Sequence, residues 1–424
     1  MRKRQQTLLK TKAMKHLAIK LSLYINYFVF AILLNSVGIV ISKSINVYQV
    51  TESNASILEA FKDLPIAIVS FFVASFLPRF GYKKAMLLGL LIVFFGCLGM
   101  YFGNSFDAAK ILFLTVGVSF ALIKISVYSL IGVVTETPEQ HSALMSSIEG
   151  FFMVGIASAY FLFPVFFSDT DQNAWLGVYP VLCGLVGISF LILLFSKIEV
   201  PIEAAGSNLM EDVKNSFGLL AMPLVLVFIF SAFFFVMIEQ GVMTWLPHFN
   251  QKIFAFDEIL SVNMAAILAI SLALGRFIAG WASKKINWSV IVVVCSIISV
   301  GILLAVLPQL KPDDNNTTLI TSLGDVPFLG FILPLIGLFI APIYPLLNST
   351  VLSHLPKRLH SPMSGLIIIF SALGGTLGSR IVGTLFEQIG GVNAFYFLII
   401  PIALLIITVI LIRKIIQKQG ESSH

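Results

Sequence analysis

Runs of about twenty apolar residues, repeated along nearly the whole chain, leave this sequence few choices of fold. A run of that length matches the hydrocarbon thickness that a helix must cross. In lipid every backbone polar group must be satisfied internally, so only helices and closed barrels span. Barrel strands alternate apolar and polar residues in units of about ten, and these runs do not alternate. Composition agrees: 58% of the 424 residues are hydrophobic and 11% charged, where a soluble domain carries about 25% charged residues.

About twelve spans are expected, at 18–42, 54–77, 84–103, 109–133, 142–167, 175–196, 219–246, 258–282, 288–307, 326–351, 362–386 and 392–415. The fold class is an all-α membrane protein. A basic tail occupies 1–17, one six-helix unit 18–196, a linker 197–218, a second six-helix unit 219–415, and a short tail 416–424. The basic N-terminus resembles a signal sequence in charge, but the apolar stretch behind it is too long and lacks a small-residue cleavage site, so it is expected to be retained.

The net charge of +6 raises nucleic acid as a partner. The placement of the basic residues argues against it. Nineteen of the 27 Lys and Arg fall in the tails and even-numbered loops, four (Lys43, Lys110, Lys252, Lys311) in odd-numbered loops, and four (Lys62, Lys124, Arg276, Arg380) within spans. Positive residues concentrate on the cytoplasmic side, so both termini are expected there, in a bacterial-type inner or plasma membrane. Cys97, Cys183 and Cys295 lie in apolar stretches without ligand spacing and are expected to pack as free thiols. Nucleotide loops, metal clusters and nucleophile triads are missing from the sequence, so neither a cofactor nor a metal nor an enzymatic activity is expected.

The halves look alike. Pro78-Arg79-Phe80-Gly81-Tyr82-Lys83-Lys84 joins helices two and three, and Gly280-Trp281-Ala282-Ser283-Lys284-Lys285 joins eight and nine. Duplicated halves build a transporter site at the bilayer midplane. At these loops the chain resembles the major facilitator superfamily, whose hallmark there is a Gly, an acidic residue four places on, then Gly-Arg-Lys. Arg79, Gly81, Lys83 and Lys84 are kept, while Ala74, Pro78 and Lys284 replace the first Gly and both acidic positions. The C-terminal half is similar to the fucose–proton symporter branch at Glu239-Gln240-Gly241 with Trp245, at Gly275-Arg276-Phe277, and at Ala341-Pro342-Ile343-Tyr344-Pro345. Lys124 falls where that branch carries a proton-coupling Glu, so its sugar specificity is not carried over. The resemblance implies two pseudo-symmetric six-helix bundles, and a cavity lined by helices one, four, seven and ten.

Ionisable groups in a span are costly and usually face a partner or a wet cavity. Lys124 in helix four and Glu149 in helix five flank the turn at 136–139 at equal distance, so they share a depth. They form an ion pair, or Lys124 binds an anionic substrate while Glu149 carries a proton; the bland alternative is a structural pair. Arg276, toward the cytoplasmic end of helix eight, is a rival partner for Glu149 and a candidate gating residue. Glu239 lies in the outer part of helix seven as a substrate-binding group and second proton site, or a hydrated surface group. Near the outer face, Arg380 of helix eleven is expected to bridge to Glu59 or Asp63 of helix two as a gate. The competing reading pairs Glu59 with Lys62 along one helix turn.

Tyr27, Tyr128, Tyr344 and Asn348 complete the expected substrate wall. Pro342 and Pro345 should free carbonyls in helix ten, and Gly374 and Gly378 form a small-xxx-small packing surface. The expected function is a monomeric secondary transporter whose partners are protons, lipid and a small polar, anionic solute such as an organic acid or carboxylate siderophore. A neutral sugar–proton symporter, a metabolite or drug exporter, and a non-transporting sensor are the alternatives.

Overall fold

The computed structural model describes residues 2–135, 137–196, 217–310, 319–356 and 359–421. Most of the expected 197–218 linker, and the polar loop 311–318, lie outside them. Among the described residues, ten helices are long and apolar enough to cross a membrane. The bent pair Ile19–Asn35 and Val37–Tyr48 adds an eleventh span. Ile57–Phe80, 24 residues long, is the twelfth, with Glu59, Lys62 and Asp63 in its opening turns. Twelve spans in two bundles account for the described chain, and the expected fold class holds.

The first helix runs Arg2–Asn35, so the basic tail is helical and continuous with the first span. A bend of 40° follows. Asn35 donates to the Ala31 carbonyl at 2.8 Å and Ser36 to the Leu33 carbonyl at 2.8 Å. Such back-bonding competes with the helical ladder and tilts it. The helix resumes to Tyr48, beyond the expected end at residue 42. Asn26, whose polar group needs a partner in a dry span, finds one locally: its amide donates to the carbonyl of Ser22 at 2.8 Å.

The tenth span is broken as its prolines predict. Phe328–Ile332, a 3-10 turn Leu333–Leu335 at Pro334, Ile336–Ile340 and Ile343–Ser353 follow one another, with the main break at Ala341–Pro342. Proline lacks the N–H and clashes with the preceding turn. Gly374 and Gly378 do pack: a Cβ on either would stand 2.3 Å or 2.5 Å from the carbonyl oxygen of Phe233 or Met237 in the seventh span. The cysteines are free thiols.

At the loop between the second and third spans, Gly81 turns the chain with φ 94°. Lys83 then reaches across to donate to the carbonyls of Leu194 at 2.9 Å and Ser196 at 2.6 Å. A lysine capping the last carbonyls of a helix satisfies acceptors that the ladder leaves open. This residue of the loop motif therefore ties the third span to the end of the sixth.

Candidate functional site

Two clusters of polar groups meet at mid-depth between the bundles. In the N-terminal half, the Tyr128 hydroxyl donates to Glu149 Oε1 at 2.8 Å. Lys124, one turn before Tyr128, stands 5.8 Å from the Phe120 ring centroid. Among the described residues no carboxylate oxygen lies within 4 Å of its Nζ. The Lys124–Glu149 ion pair weighed from the sequence is thus not formed. The Glu149 carboxylate is instead engaged by the Tyr128 hydroxyl. The Tyr27 ring lies beside Tyr128, centroids 6.3 Å apart, and edge-on to Phe152 at 5.7 Å.

In the C-terminal half, Arg276 Nη2 donates to Glu239 Oε1 at 3.4 Å, and Nη1 meets Met153 Sδ at 3.4 Å. Two expectations are corrected here. Arg276 takes Glu239, not Glu149. Glu239 lies near the middle of its span and not in the outer part, because the seventh helix runs Pro223–Ile253, well past residue 246. The Arg276 side chain stays 36% exposed, while its Nε is buried and has no hydrogen-bond partner among the described residues. Tyr344 stacks on Phe235, centroids 5.2 Å apart at 21°. The Asn348 side chain is half-buried one turn further on.

Toward the end opposite the termini the two halves are sealed. Lys43 pairs with Glu258 at 2.6 Å and covers the Phe167 ring at 3.8 Å. Gln251 accepts from Asn46 at 2.9 Å and Ser42 at 3.3 Å. Glu387 accepts from the Ser53 amide at 3.0 Å. His248 meets Glu52 at 3.3 Å, and that hydrogen bond holds the Glu52 carboxyl below the usual glutamate range. A carboxyl lowered only in the sealed state favours sealing above its ordinary pKa, and that contribution fades as pH falls through the lowered one.

The expected Arg380 bridge to Glu59 or Asp63 is also corrected. Arg380 crosses between the halves, but to the Ser53 carbonyl and, at 3.2 Å, the Ser56 hydroxyl. The acids below are already engaged. Lys62 hydrogen-bonds Glu59 and stands 3.5 Å from Asp63, and Thr244 of the seventh span donates to Glu59 at 3.0 Å. The local pairing of Glu59 with Lys62 is the one observed, and Glu59 still touches the other half through Thr244. Sequence reasoning missed Glu52, His248, Gln251, Glu258 and Glu387. The available signal was complementary groups at the same ends of spans that pseudo-symmetry brings face to face.

The sequence profile of the Major Facilitator Superfamily matches residues 22–379. No curated protein matches the sequence. Solved structures do match in shape. A bacterial homologue of the human lysosomal transporter Spinster, inward-facing and occupied, has TM-score 0.71 at 15% identity, covering 95% of this chain and 97% of its own. A point mutant of the nucleoside transporter NupG has TM-score 0.71 at 15% identity, with 93% and 99% covered. FucP in its outward conformation has TM-score 0.62 at 12% identity, with 94% and 99% covered. At these identities the likeness is one of fold.

Proposed function

The chain belongs to the Major Facilitator Superfamily, and from that premise we propose that it is a secondary active transporter carrying a small anionic solute by proton-coupled alternating access. The moving units are the two six-helix bundles, 18–196 and 219–415, joined through the linker 197–218. The excess of Lys and Arg on their side supports cytoplasmic termini. The sealed end is then extracellular, and the state described is closed to the outside.

One observation carries the reading: Lys124 is a mid-membrane cation with no carboxylate within 4 Å among the described residues. A charge held at that depth calls for a partner that arrives from solution. An anionic solute bound at Lys124 would also meet Arg276 of the other half, whose side chain stays 36% exposed. Tyr27 and Tyr128 wall one side of the site, Tyr344 and Asn348 the other. The Arg276–Glu239 pair is loose enough, at 3.4 Å, to exchange a carboxylate for substrate. Glu149 serves as the proton carrier, because its protonation removes a negative charge from the neighbourhood of the anion and strengthens its binding.

A charge-assisted hydrogen bond contributes about 1.5–3 kcal/mol. Lys124→Ala in proteoliposomes should therefore weaken apparent substrate affinity roughly ten- to hundredfold. Lys124→Arg should retain most of the binding. Unchanged uptake in Lys124→Ala would remove the residue from the site. A thermal-shift screen of organic acids, carboxylate siderophores, sugars and nucleosides against the purified protein selects the probe. For the proton role, Glu149→Gln should keep substrate counterflow and lose proton-driven accumulation, whereas equal loss of both would make Glu149 structural.

A neutral sugar is the second reading. It is favoured by an aromatic ring on each side, Tyr128 backed by the buried Tyr27 and Tyr344 backed by the buried Phe235. A D-xylose–proton symporter also shares the fold, with TM-score 0.68 at 12% identity. Stabilisation of Lys124→Ala by a sugar that also stabilises the parent protein selects that reading.

A further inference from the structure

A cavity lies on the C-terminal bundle apart from the central polar clusters, lined by none of their residues. It occupies about 340 Å³ between the eighth, ninth and tenth spans. Its cause is local. A Cβ on Gly275 would stand 2.4 Å from the Leu338 oxygen, and one on Gly337 would stand 2.8 Å from the Leu268 oxygen. The eighth and tenth spans therefore touch closely at these glycines. Toward the end that carries the termini, Ala279 and Ala282 present only methyl groups, and the tenth span breaks at Pro342. The helices part, leaving a groove lined by Ile278, Ala279, Ala282, Ile286, Val294 and Pro342.

The groove is apolar along its length, and its mouth is basic. Ile286 of the lining belongs to the turn after Lys284 and Lys285, both exposed. Lys285 sits 5.2 Å from the centroid of the Trp281 ring, which is 65% exposed. Trp288 follows at the start of the ninth span, half-buried. An apolar slot ending at two lysines and two interfacial tryptophans matches one occupant in both chemistry and direction. Tryptophan favours the headgroup level, and lysines at that level attract anionic headgroups.

We propose that this groove binds an anionic phospholipid from the leaflet on the side of the termini, with one acyl chain in the slot and its phosphate at Lys284 and Lys285. The chain would lie against the Pro342 break of the helix that presents Tyr344 and Asn348. The site is separate from the transport site, and its test requires no transported solute.

Tryptophan fluorescence can read occupancy directly. Of the four tryptophans, Trp175 and Trp245 are fully buried, which leaves Trp281 and Trp288 as reporters at the groove mouth. The full-length protein in phosphatidylcholine nanodiscs is titrated with phosphatidylglycerol carrying brominated acyl chains, and separately with brominated phosphatidylcholine. Each basic residue near an anionic lipid contributes roughly fivefold. Half-quenching by the anionic lipid is expected at about a twentyfold lower mole fraction. Lys284→Gln with Lys285→Gln, both on the surface, should bring the two titrations together. Ala282→Phe and, independently at an exposed lining position, Val294→Phe should weaken quenching by both lipids. Coincident titrations in the parent protein would overturn the headgroup assignment. Full quenching in both Phe variants would overturn the groove.

Discussion

Replacing Lys62 by Met should cost this protein its fold. Lys62 is 3% exposed, Glu59 is fully buried and Asp63 is 8% exposed. The lysine is the only cation that the described residues bring within ion-pair distance of either acid. Removing one member of a buried ionic cluster costs about 3–5 kcal/mol, because the charges left behind have neither water nor a counter-ion. Native stabilities are themselves only about 5–15 kcal/mol. The folding equilibrium should shift by about a hundredfold or more, each ~1.4 kcal/mol being a factor of ten, and monodisperse protein recovered by size exclusion in mild detergent should fall with it. The triple variant Lys62→Met, Glu59→Gln, Asp63→Asn removes all three charges at once and should recover most of the yield. Wild-type recovery of Lys62→Met alone would mean that water or another cation reaches the acids.

The second large effect concerns the conformational cycle. Gly38 in the first span meets the seventh span so closely that a Cβ there would stand 2.4 Å from the Thr244 oxygen. These helices belong to opposite halves and separate when the sealed end opens. Gly38→Val therefore clashes in the sealed state alone. Overpacking costs about 1–3 kcal/mol, which shifts the population roughly five- to a hundredfold toward the opened state. Asn46→Cys, placed at the seal beside Gln251, should then label faster with an impermeant maleimide in the Gly38→Val background. Gly155→Val is the control. It clashes with the Phe28 oxygen at 2.6 Å and the Ala31 Cβ at 2.7 Å, both within its own half, so it should lower stability without raising labelling. Equal labelling with and without Gly38→Val would show that this contact does not govern opening.

Both predictions rest on groups whose positions along the helices could be read from the sequence and whose partners could not. Lys124 and Glu149 were assigned a common depth by counting from the turn between them. The hydrogen bond from Tyr128, one turn from Lys124, to Glu149 agrees with that depth. The depth of Glu239 follows from the expected span 219–246 and is displaced, because an apolar run does not mark where its helix stops. There Glu239 meets Arg276. Arg380 does reach the other half, yet it bonds to Ser53 and Ser56, since Lys62 and Thr244 already hold the acid below.

What the chain alone determined was its solvent and its class. Twenty-residue apolar runs, basic residues gathered in alternate loops, and two copies of one loop motif suffice, because desolvating a backbone or a charge costs the same wherever the helix packs. Only the tertiary structure decided who meets whom. Partner choice depends on helical phase, on bends such as the one at Ser36, and on close approaches permitted by Gly38 and Gly275. Each of these turns or shifts a side chain by a few ångströms, the distance that separates an ion pair from an open cation.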